Sequence, residues 1–232
     1  MRKILIALTA TAVVATVVAL VVPYRATAQG GGTVEVEVKY NGAPVVETLK
    51  VNKDTEKCGT EAKLEKVVVG GGKGLANAVV SVPGAKGSGP GKKAVVDQKG
   101  CAFHPRVVAM TPGELELKNS DDILHNIHTY STANPTINKA QPKFKKTMTE
   151  KFEKPEVIKL TCDVHSWMLG WVAVVPTPYF GVTDQNGTVK IDNVPAGKQT
   201  VEIWHEQLGK QTKDVEVKAG QTTKVSVEMT KK

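Results

Sequence analysis

The feature that most constrains the fold is a succession of short apolar or alternating segments that are separated by turn residues. From Val34 to Lys39, valines alternate with charged residues, and the turn formed by Asn41 and Gly42 follows. Alternation with a period of two is typical of a strand that is buried on one face. Between residues 34 and 130, no segment keeps a helical period over more than two turns. Short strands with turn signals about every eight to twelve residues favour β-sandwiches throughout.

Further runs of the same kind continue along the chain, with two loose stretches between them. Residues 83–93 are rich in Gly, Lys and Pro, and residues 131–147 have no sustained pattern, so both are predicted as loops. From Pro178 onward, turn signals separate alternating runs, which predicts a compact antiparallel unit. The apolar or alternating runs before Pro178 are 67–69, 78–82, 114–118, 124–130, 157–160 and 171–175.

The N-terminus has the pattern of an export signal. Arg2 and Lys3 precede an apolar run over residues 4–22, and Ala26 and Ala28 form a small-x-small cleavage signature. We therefore exclude residues 1–28 from the fold. The run is also just long enough to span a bilayer, so an uncleaved membrane anchor is the alternative. In both cases the positive-inside rule predicts that the remaining chain is exported, to the periplasm, the cell surface or the medium.

The charge of the chain is moderately basic. The formal net charge is +8, and removal of Arg2, Lys3 and Arg25 with the signal would leave +5. The densest basic cluster lies in residues 143–146, without the aromatic residues or motifs of a nucleic-acid site. We interpret it as a solvated loop, with a docking patch for an acidic partner as the alternative. No nucleic-acid partner is expected.

The number of cysteines indicates one thiol with a separate purpose. An exported chain with three cysteines leaves one unpaired. Cys58 and Cys101 show no histidine-ligand spacing to each other, and a disulfide between them would stabilise the fold by about 4 kcal/mol through loop closure. Cys162 is then the odd thiol.

The segment around Cys162 has the donors of a metal site. Cys162, His165 and Met168 follow a C-x2-H-x2-M spacing between two predicted strands. A blue-copper site needs one thiolate, two imidazoles and a weak axial thioether. His125 is the candidate for the second imidazole, and its neighbour Asn126 is positioned to connect the two ligand segments by hydrogen bonds.

These two segments resemble the copper loops of cupredoxins. The resemblance lies in residues 119–121 before His125 and Asn126, and in residues 162–168 before Gly170 and the following strand. The ligand spacing is that of amicyanin, although Ser166 stands where a proline is common. The resemblance covers residues 75–176 and implies a Greek-key sandwich that holds one type 1 copper ion. His125, Cys162 and His165 would be its trigonal ligands and Met168 its axial ligand, with an exposed His165 ring edge as the electron port.

The C-terminal part resembles the carboxypeptidase regulatory-like domain, a small transthyretin-like sandwich. The similarity lies in residues 182–187 and 193–198. Such domains begin with a strand, a turn and a second strand, a pattern that residues 34–51 match better than those just before Pro178. The resemblance therefore implies that the copper domain is inserted into this second sandwich.

Other interpretations of the metal residues remain open. Taken singly, Cys162 could be a small buried hydrophobe or a disulfide partner, and His125 could cap a turn. Zinc is the alternative metal, although a thioether is a poor zinc ligand. His104, His128 and His205 are expected outside the ligand set: His128 lies three residues after His125, on the opposite face of a strand.

Together, these observations predict an all-β protein with a Greek-key cupredoxin sandwich and a second small antiparallel β-sandwich. The expected function is single-electron transfer between redox partner proteins, without catalysis, because no catalytic arrangement of residues is present in the sequence. The alternatives are a surface copper carrier or sensor and a structural or adhesive envelope protein. The predicted segments are a signal peptide (1–28), an N-terminal β segment (29–74), a copper domain (75–176) and a regulatory-like sandwich (177–232).

Overall fold

The computed structural model describes residues 30–87 and 93–231. The predicted signal peptide and part of the loop predicted over residues 83–93 lie outside the described residues. Neither α1 (Thr55–Cys58) nor the 3₁₀ turn Gly71–Lys73 has the length or the apolar character that a bilayer crossing requires, and no other helix is present in the described ranges. The strands are β1 (Gly32–Tyr40), β2 (Val45–Lys50), β3 (Glu61–Val67), β4 (Val79–Ser81), β5 (Ala94–Lys99), β6 (Ala102–His104), β7 (Val107–Met110), β8 (Gly113–Asn119), β9 (His125–Tyr130), β10 (Asn138–Gln141), β11 (Thr147–Phe152), β12 (Glu156–Thr161), β13 (Leu169–Val174), β14 (Phe180–Val182), β15 (Thr188–Val194), β16 (Gly197–His205), β17 (Gly209–Val217) and β18 (Thr222–Met229).

The middle of the chain forms a first sandwich of two sheets. Their strand orders are β10-β9-β12-β13-β7 and β11-β8-β5-β6. Both sheets contribute to one hydrophobic cluster, which includes Leu115 and Leu117 of β8, Phe152 of β11 and Ile158 of β12. Leu115 and Leu117 alternate with exposed or half-buried polar residues, as a strand with one buried face requires.

The two ends of the described chain form a second sandwich. Its sheets have the orders β15-β1-β18 and β14-β4-β16-β17. Val34, Val36 and Val38 of β1 are fully buried between these sheets. Because β1 lies between β15 and β18, the described chain passes from this sandwich into the first sandwich and then returns.

A separate hairpin, residues 45–67, lies against the first sandwich. Among the strands that the structure describes, β2 and β3 pair only with each other. Leu49, Val51 and Ala62 pack on the core of the first sandwich. Cys58 forms a disulfide with Cys101, with 5.5 Å between their Cα atoms. The hairpin is therefore attached to the first sandwich by a covalent bond and by a small apolar contact.

The sandwiches also contact each other through a polar and aromatic group of side chains. The guanidinium of Arg106 forms an ion pair with Glu206, and Trp171 Nε1 donates a hydrogen bond of 2.9 Å to Glu206 Oε2. The rings of Trp171 and Trp204 meet edge to face, with 5.4 Å between their centroids. Strand β13 of the first sandwich is thus connected to the turn after β16 of the second.

The all-β class with two sandwiches is confirmed, but packing differs from the expected details in three places. Leu75 and β4 belong to the second sandwich, since β4 pairs with β14 and β16, so the boundary expected at residue 75 lies inside that sandwich. The loop expected over residues 131–147 contains β10, which pairs with β9. The second sandwich is mixed rather than antiparallel, because β1 and β18 run parallel.

Candidate metal centre

Strand pairing brings the two predicted ligand segments together. Cys162 follows β12 directly, and His125 is the first residue of β9. These strands are neighbours, with Thr161 opposite His128. The ligand loop, residues 162–168, is a tight connection between β12 and β13, and within it the Met168 amide donates a hydrogen bond of 3.0 Å to the His165 carbonyl.

Three of the predicted ligands converge on one point. Cys162 Sγ lies 3.8 Å from His125 Nδ1 and 3.7 Å from His165 Nδ1, and the two Nδ1 atoms are 2.9 Å apart. Bonds from a metal to imidazole and thiolate are about 2.0–2.3 Å long, so donors on one ion lie about 3 to 4 Å from each other. The three donor atoms therefore fit a single metal ion.

The sulfur of Cys162 is buried and free. Its side chain is 1% exposed, and Cys58 and Cys101 are bonded to each other. Burial raises the pKa of the Cys162 thiol, and hydrogen bonds from backbone amides, among them the Asn126 amide 3.4 Å from Sγ, offset part of that rise. Such a thiol is protonated without a metal, whereas coordination would stabilise the thiolate.

Met168, the predicted axial ligand, is buried at the end of the same loop. It belongs to the core cluster of the first sandwich together with Cys162 and Trp167. Trp167 is also buried, its ring centroid lies 5.1 Å from that of His165, and its Nε1 donates a hydrogen bond of 3.2 Å to the Cys101 carbonyl. The loop is therefore held by packing as well as by hydrogen bonds.

Asn126 connects the two ligand segments. Its backbone amide donates to Cys162 Sγ, and its side-chain oxygen accepts a hydrogen bond from the Asp163 amide. Its Nδ2 donates a hydrogen bond of 2.8 Å to Asn138 Oδ1 on β10. One side chain thus fixes the start of β9 relative to the residue that follows the cysteine.

Each imidazole contacts a carboxylate through its Nε2 atom, and neither carboxylate was among the predicted site residues. His125 Nε2 lies 2.9 Å from Asp121 Oδ2, and His165 Nε2 lies 2.9 Å from Asp54 Oδ2. A carboxylate accepts, so each Nε2 carries the proton and each Nδ1 lone pair points to the sulfur. The contact of Asp121 could have been predicted from spacing, because Asp121 lies only four residues before His125, in the turn that precedes β9. Asp54 is 111 residues from His165, and nothing local marks it.

The electrostatics of the Asp121–His125 pair follow from burial and hydrogen bonding. Burial lowers the pKa of His125, and the bond to Asp121 opposes that shift only in part. Partial burial works to raise the pKa of Asp121, but hydrogen bonds from the Cys101 and Gly100 amides and from His125 outweigh it and lower the pKa. His125 is therefore a neutral imidazole at neutral pH, the form that binds metals.

The expectation of an exposed His165 edge is wrong. His165 is 0% exposed, because the turn of the hairpin that carries Asp54 covers its Nε2 side. The cupredoxin resemblance covered residues 75–176 and contained no equivalent of the hairpin, so it could not include this contact.

The other histidines lie outside the cluster. His128 is half-buried on β9, where its Nδ1 lies 2.9 Å from Asp163 Oδ1 and its ring stacks on Tyr130 with 4.5 Å between centroids. His104 is exposed at the end of β6. His205 is buried in the second sandwich, and its Nδ1 accepts a hydrogen bond of 3.2 Å from the Gln207 amide.

The donor set has a clear chemical preference. One thiolate and two imidazoles, with a thioether from the same loop as the thiolate, are the ligand types of a mononuclear blue-copper site. A structural zinc site would normally supply four strong donors, and a thioether is not one of them. The residues present therefore fit copper.

Comparisons with known proteins give partial and distant similarities. A family model described as polysaccharide lyase family 4, domain II, matches residues 176–225, in the second sandwich. No curated protein matches the chain.

Among solved structures, the chain is similar to copper-containing nitrite reductase from Thermus scotoductus SA-01, with 22% identity, a TM-score of 0.33 and coverage of 39% of this chain and 24% of that one. It is also similar to a purple cupredoxin from Nitrosopumilus maritimus, with 21% identity, a TM-score of 0.31 and coverage of 35% of this chain and 99% of that one. For amicyanin from Paracoccus versutus the identity is 17% and the TM-score 0.32, with coverage of 41% of this chain and 96% of that one.

Proposed function

We propose that this protein is an exported type 1 copper protein that carries single electrons between redox partner proteins. The observation that carries the proposal is the buried free sulfur of Cys162, at 3.8 and 3.7 Å from the Nδ1 atoms of His125 and His165. These three residues would be the main ligands of one copper ion, and Met168 would be the weak axial ligand.

The surroundings of the site suit electron transfer. A copper ion there would supply one-electron chemistry by alternating between two oxidation states. Asp121 and Asp54 hold the imidazoles, Asn126 holds both ligand segments, and core packing holds Met168, so the ligands change position little when the charge changes. The donor residues are buried, and a buried site gives a substrate little access, which favours a carrier over an enzyme.

For the second sandwich, we propose a scaffold role and assign it no chemistry. Its similarity to the carboxypeptidase regulatory-like domain rests on the two turn motifs at residues 182–187 and 193–198. Through Glu206 it binds Arg106 and Trp171, and so orients the first sandwich relative to the ends of the chain.

The test is a titration of the purified copper-free protein with Cu(II), followed by visible absorption and by electron paramagnetic resonance. The wild type is expected to take up one equivalent and to develop an intense thiolate-to-copper band with the narrow hyperfine splitting of a type 1 site. Cys162→Ser should abolish the band. His104→Gln, which alters an exposed histidine outside the cluster, is the matched control and should leave the spectrum unchanged.

Two results would count against the proposal. A wild-type protein that binds copper without the thiolate band would refute the type 1 site. A protein that forms the band but passes copper to a weak chelator within seconds, and exchanges electrons slowly with a small redox mediator, would be a copper carrier instead.

A further inference from the structure

The hairpin formed by residues 45–67 has an unusual place beside the metal centre. It joins neither sandwich as a strand, because within residues 30–87 and 93–231 β2 and β3 pair only with each other. An isolated two-stranded hairpin is marginally stable in water. Most of β2 is exposed, including Val45 and Val46. The hairpin is therefore held in place by its contacts with the first sandwich and, at its base, by Val67, which is buried in the core of the second sandwich.

Those contacts are concentrated around the turn at Asp54. Asp54 has a left-handed backbone conformation (φ 50°, ψ 38°), and its carbonyl accepts hydrogen bonds of 2.9 Å from the amides of Lys57 and Cys58. The turn is thus ordered, and it directs the Asp54 carboxylate onto His165 Nε2 at 2.9 Å. Four residues later, Cys58 fastens the same turn to Cys101.

The disulfide connects the chain segments that position Asp54 and Asp121, the carboxylates in contact with the two imidazoles. The amides of Gly100 and Cys101 donate hydrogen bonds of 2.8 and 2.9 Å to Asp121, which in turn holds His125. Cys58 is on the turn whose Asp54 holds His165. One covalent bond therefore joins the two backbone segments on which both carboxylate–histidine pairs depend.

Packing beneath the hairpin is incomplete. A solvent-open cleft of about 380 Å³ lies between the hairpin and the first sandwich, and its lining includes Cys58 and Ala62 on one side and Phe103, Trp167 and Met168 on the other. Where a cleft separates two surfaces, few van der Waals contacts are lost when one of them moves away. The disulfide and the Asp54–His165 hydrogen bond thus add to the apolar contacts of the hairpin and restrain the end that lies over the metal centre.

We propose that residues 45–67 are a lid over the metal centre, and that Asp54 is the positioning residue that keeps the lid closed on His165. The inference rests on the proposed function for the identity of the metal, but the closed lid is a property of the copper-free chain as well. Opening the lid would uncover His165 and give reagents and metal ions access to Cys162. The lid is therefore the element that controls how fast the site exchanges its metal.

The first experiment needs no metal. The copper-free full-length protein, with its disulfide intact, is treated with a chromogenic thiol reagent, and the rate of modification of Cys162 is measured. Asp54→Ala should raise this rate about tenfold, because a hydrogen bond to a charged group stabilises the closed state by enough to change a local opening equilibrium by that factor. Glu56→Gln changes an exposed acid on the same short helix and is the matched control. It should react like the wild type.

A second variant, Cys58→Ser with Cys101→Ser, releases the covalent anchor and should raise the rate further. Asp54→Ala keeps the disulfide, so the test stands even if the double variant does not fold. Equal rates for wild type, Asp54→Ala and the double variant would overturn the lid. So would a Cys162 that reacts in the folded wild type as fast as in urea.

The second experiment uses the copper-loaded protein and measures how fast the visible band decays in excess chelator. If residues 45–67 act as a lid, Asp54→Ala should lose copper faster than the wild type. Asp54→Asn should lose copper at an intermediate rate, because its amide oxygen still accepts a hydrogen bond from His165 Nε2. Absence of a visible band in the wild type would overturn the proposed function and leave the thiol result intact. A band that decays at one rate in all variants would overturn the lid alone.

Discussion

Acidification should destabilise the protein through His205. This side chain is 1% exposed at the end of β16, and burial is the main cause that lowers its pKa from 6.5 to about 4, with Arg106 adding to the shift and Glu206 opposing it. Above pH 6.5 the residue is neutral in the folded and unfolded chains alike. As the pH falls towards 4, the unfolded chain binds the proton and the folded chain does not. The linkage lowers the free energy of unfolding by about 1.4 kcal/mol per pH unit, or about 3 kcal/mol in all.

The assay is urea unfolding of the copper-free protein between about pH 7.5 and about pH 4, followed by tryptophan fluorescence. His205→Asn keeps an acceptor near the position of Nδ1 and removes the titrating group. Its free energy of unfolding should fall by about 3 kcal/mol less than that of the wild type over this range. His104→Gln, at an exposed site, should follow the wild type. The reasoning is refuted if His205→Asn loses as much stability on acidification as the wild type does.

Further changes test other parts of the structure. Asp121→Ala should weaken copper binding about 10- to 100-fold in a chelator competition, since it leaves His125 unsupported, and unchanged affinity would contradict that role. Phe152→Ala, in the core of the first sandwich, should lower the free energy of unfolding by about 3–5 kcal/mol. Phe144→Ala, at a position that is 82% exposed, should change the free energy of unfolding by less than about 0.5 kcal/mol. Similar effects of Phe152→Ala and Phe144→Ala would contradict the burial of Phe152 in the core. Partial burial opposes ionisation of Glu156, but hydrogen bonds from residues 131–134 outweigh it and lower its pKa to about 2. After allowance for exposure, Glu156→Gln should lower the free energy of unfolding by about 1 kcal/mol at neutral pH. This difference from the wild type should disappear as the pH falls from about 4.5 to about 2, because the wild-type carboxylate is protonated over that range. A difference that persists at about pH 2 would contradict the assignment.

The parts that could be predicted from sequence are those that depend on local spacing. Alternation alone predicted the strand at Val34, because one buried face imposes a period of two. The spacing of Cys162, His165 and Met168 predicted a common loop, because seven residues between paired strands have little freedom to separate their side chains. His125 needed a further argument, since it is 37 residues from Cys162.

The features that could not be predicted from the sequence depend on contacts between residues far apart in the chain. The run over residues 78–82, which contains β4, is apolar except for Ser81. Such a run fits either sandwich, so its pairing with β14 and β16 was not foreseeable. Asp54 looks like any exposed acid until the disulfide at Cys58 brings its turn over His165. The same contact buries the imidazole edge that the resemblance to cupredoxins had left exposed.

The most direct test of the central claim is X-ray absorption at the copper edge of the loaded full-length protein. We expect one short copper–sulfur contact and two copper–nitrogen contacts, and loss of the sulfur contact in Cys162→Ser. A first shell of nitrogen and oxygen atoms alone in the wild type would contradict it.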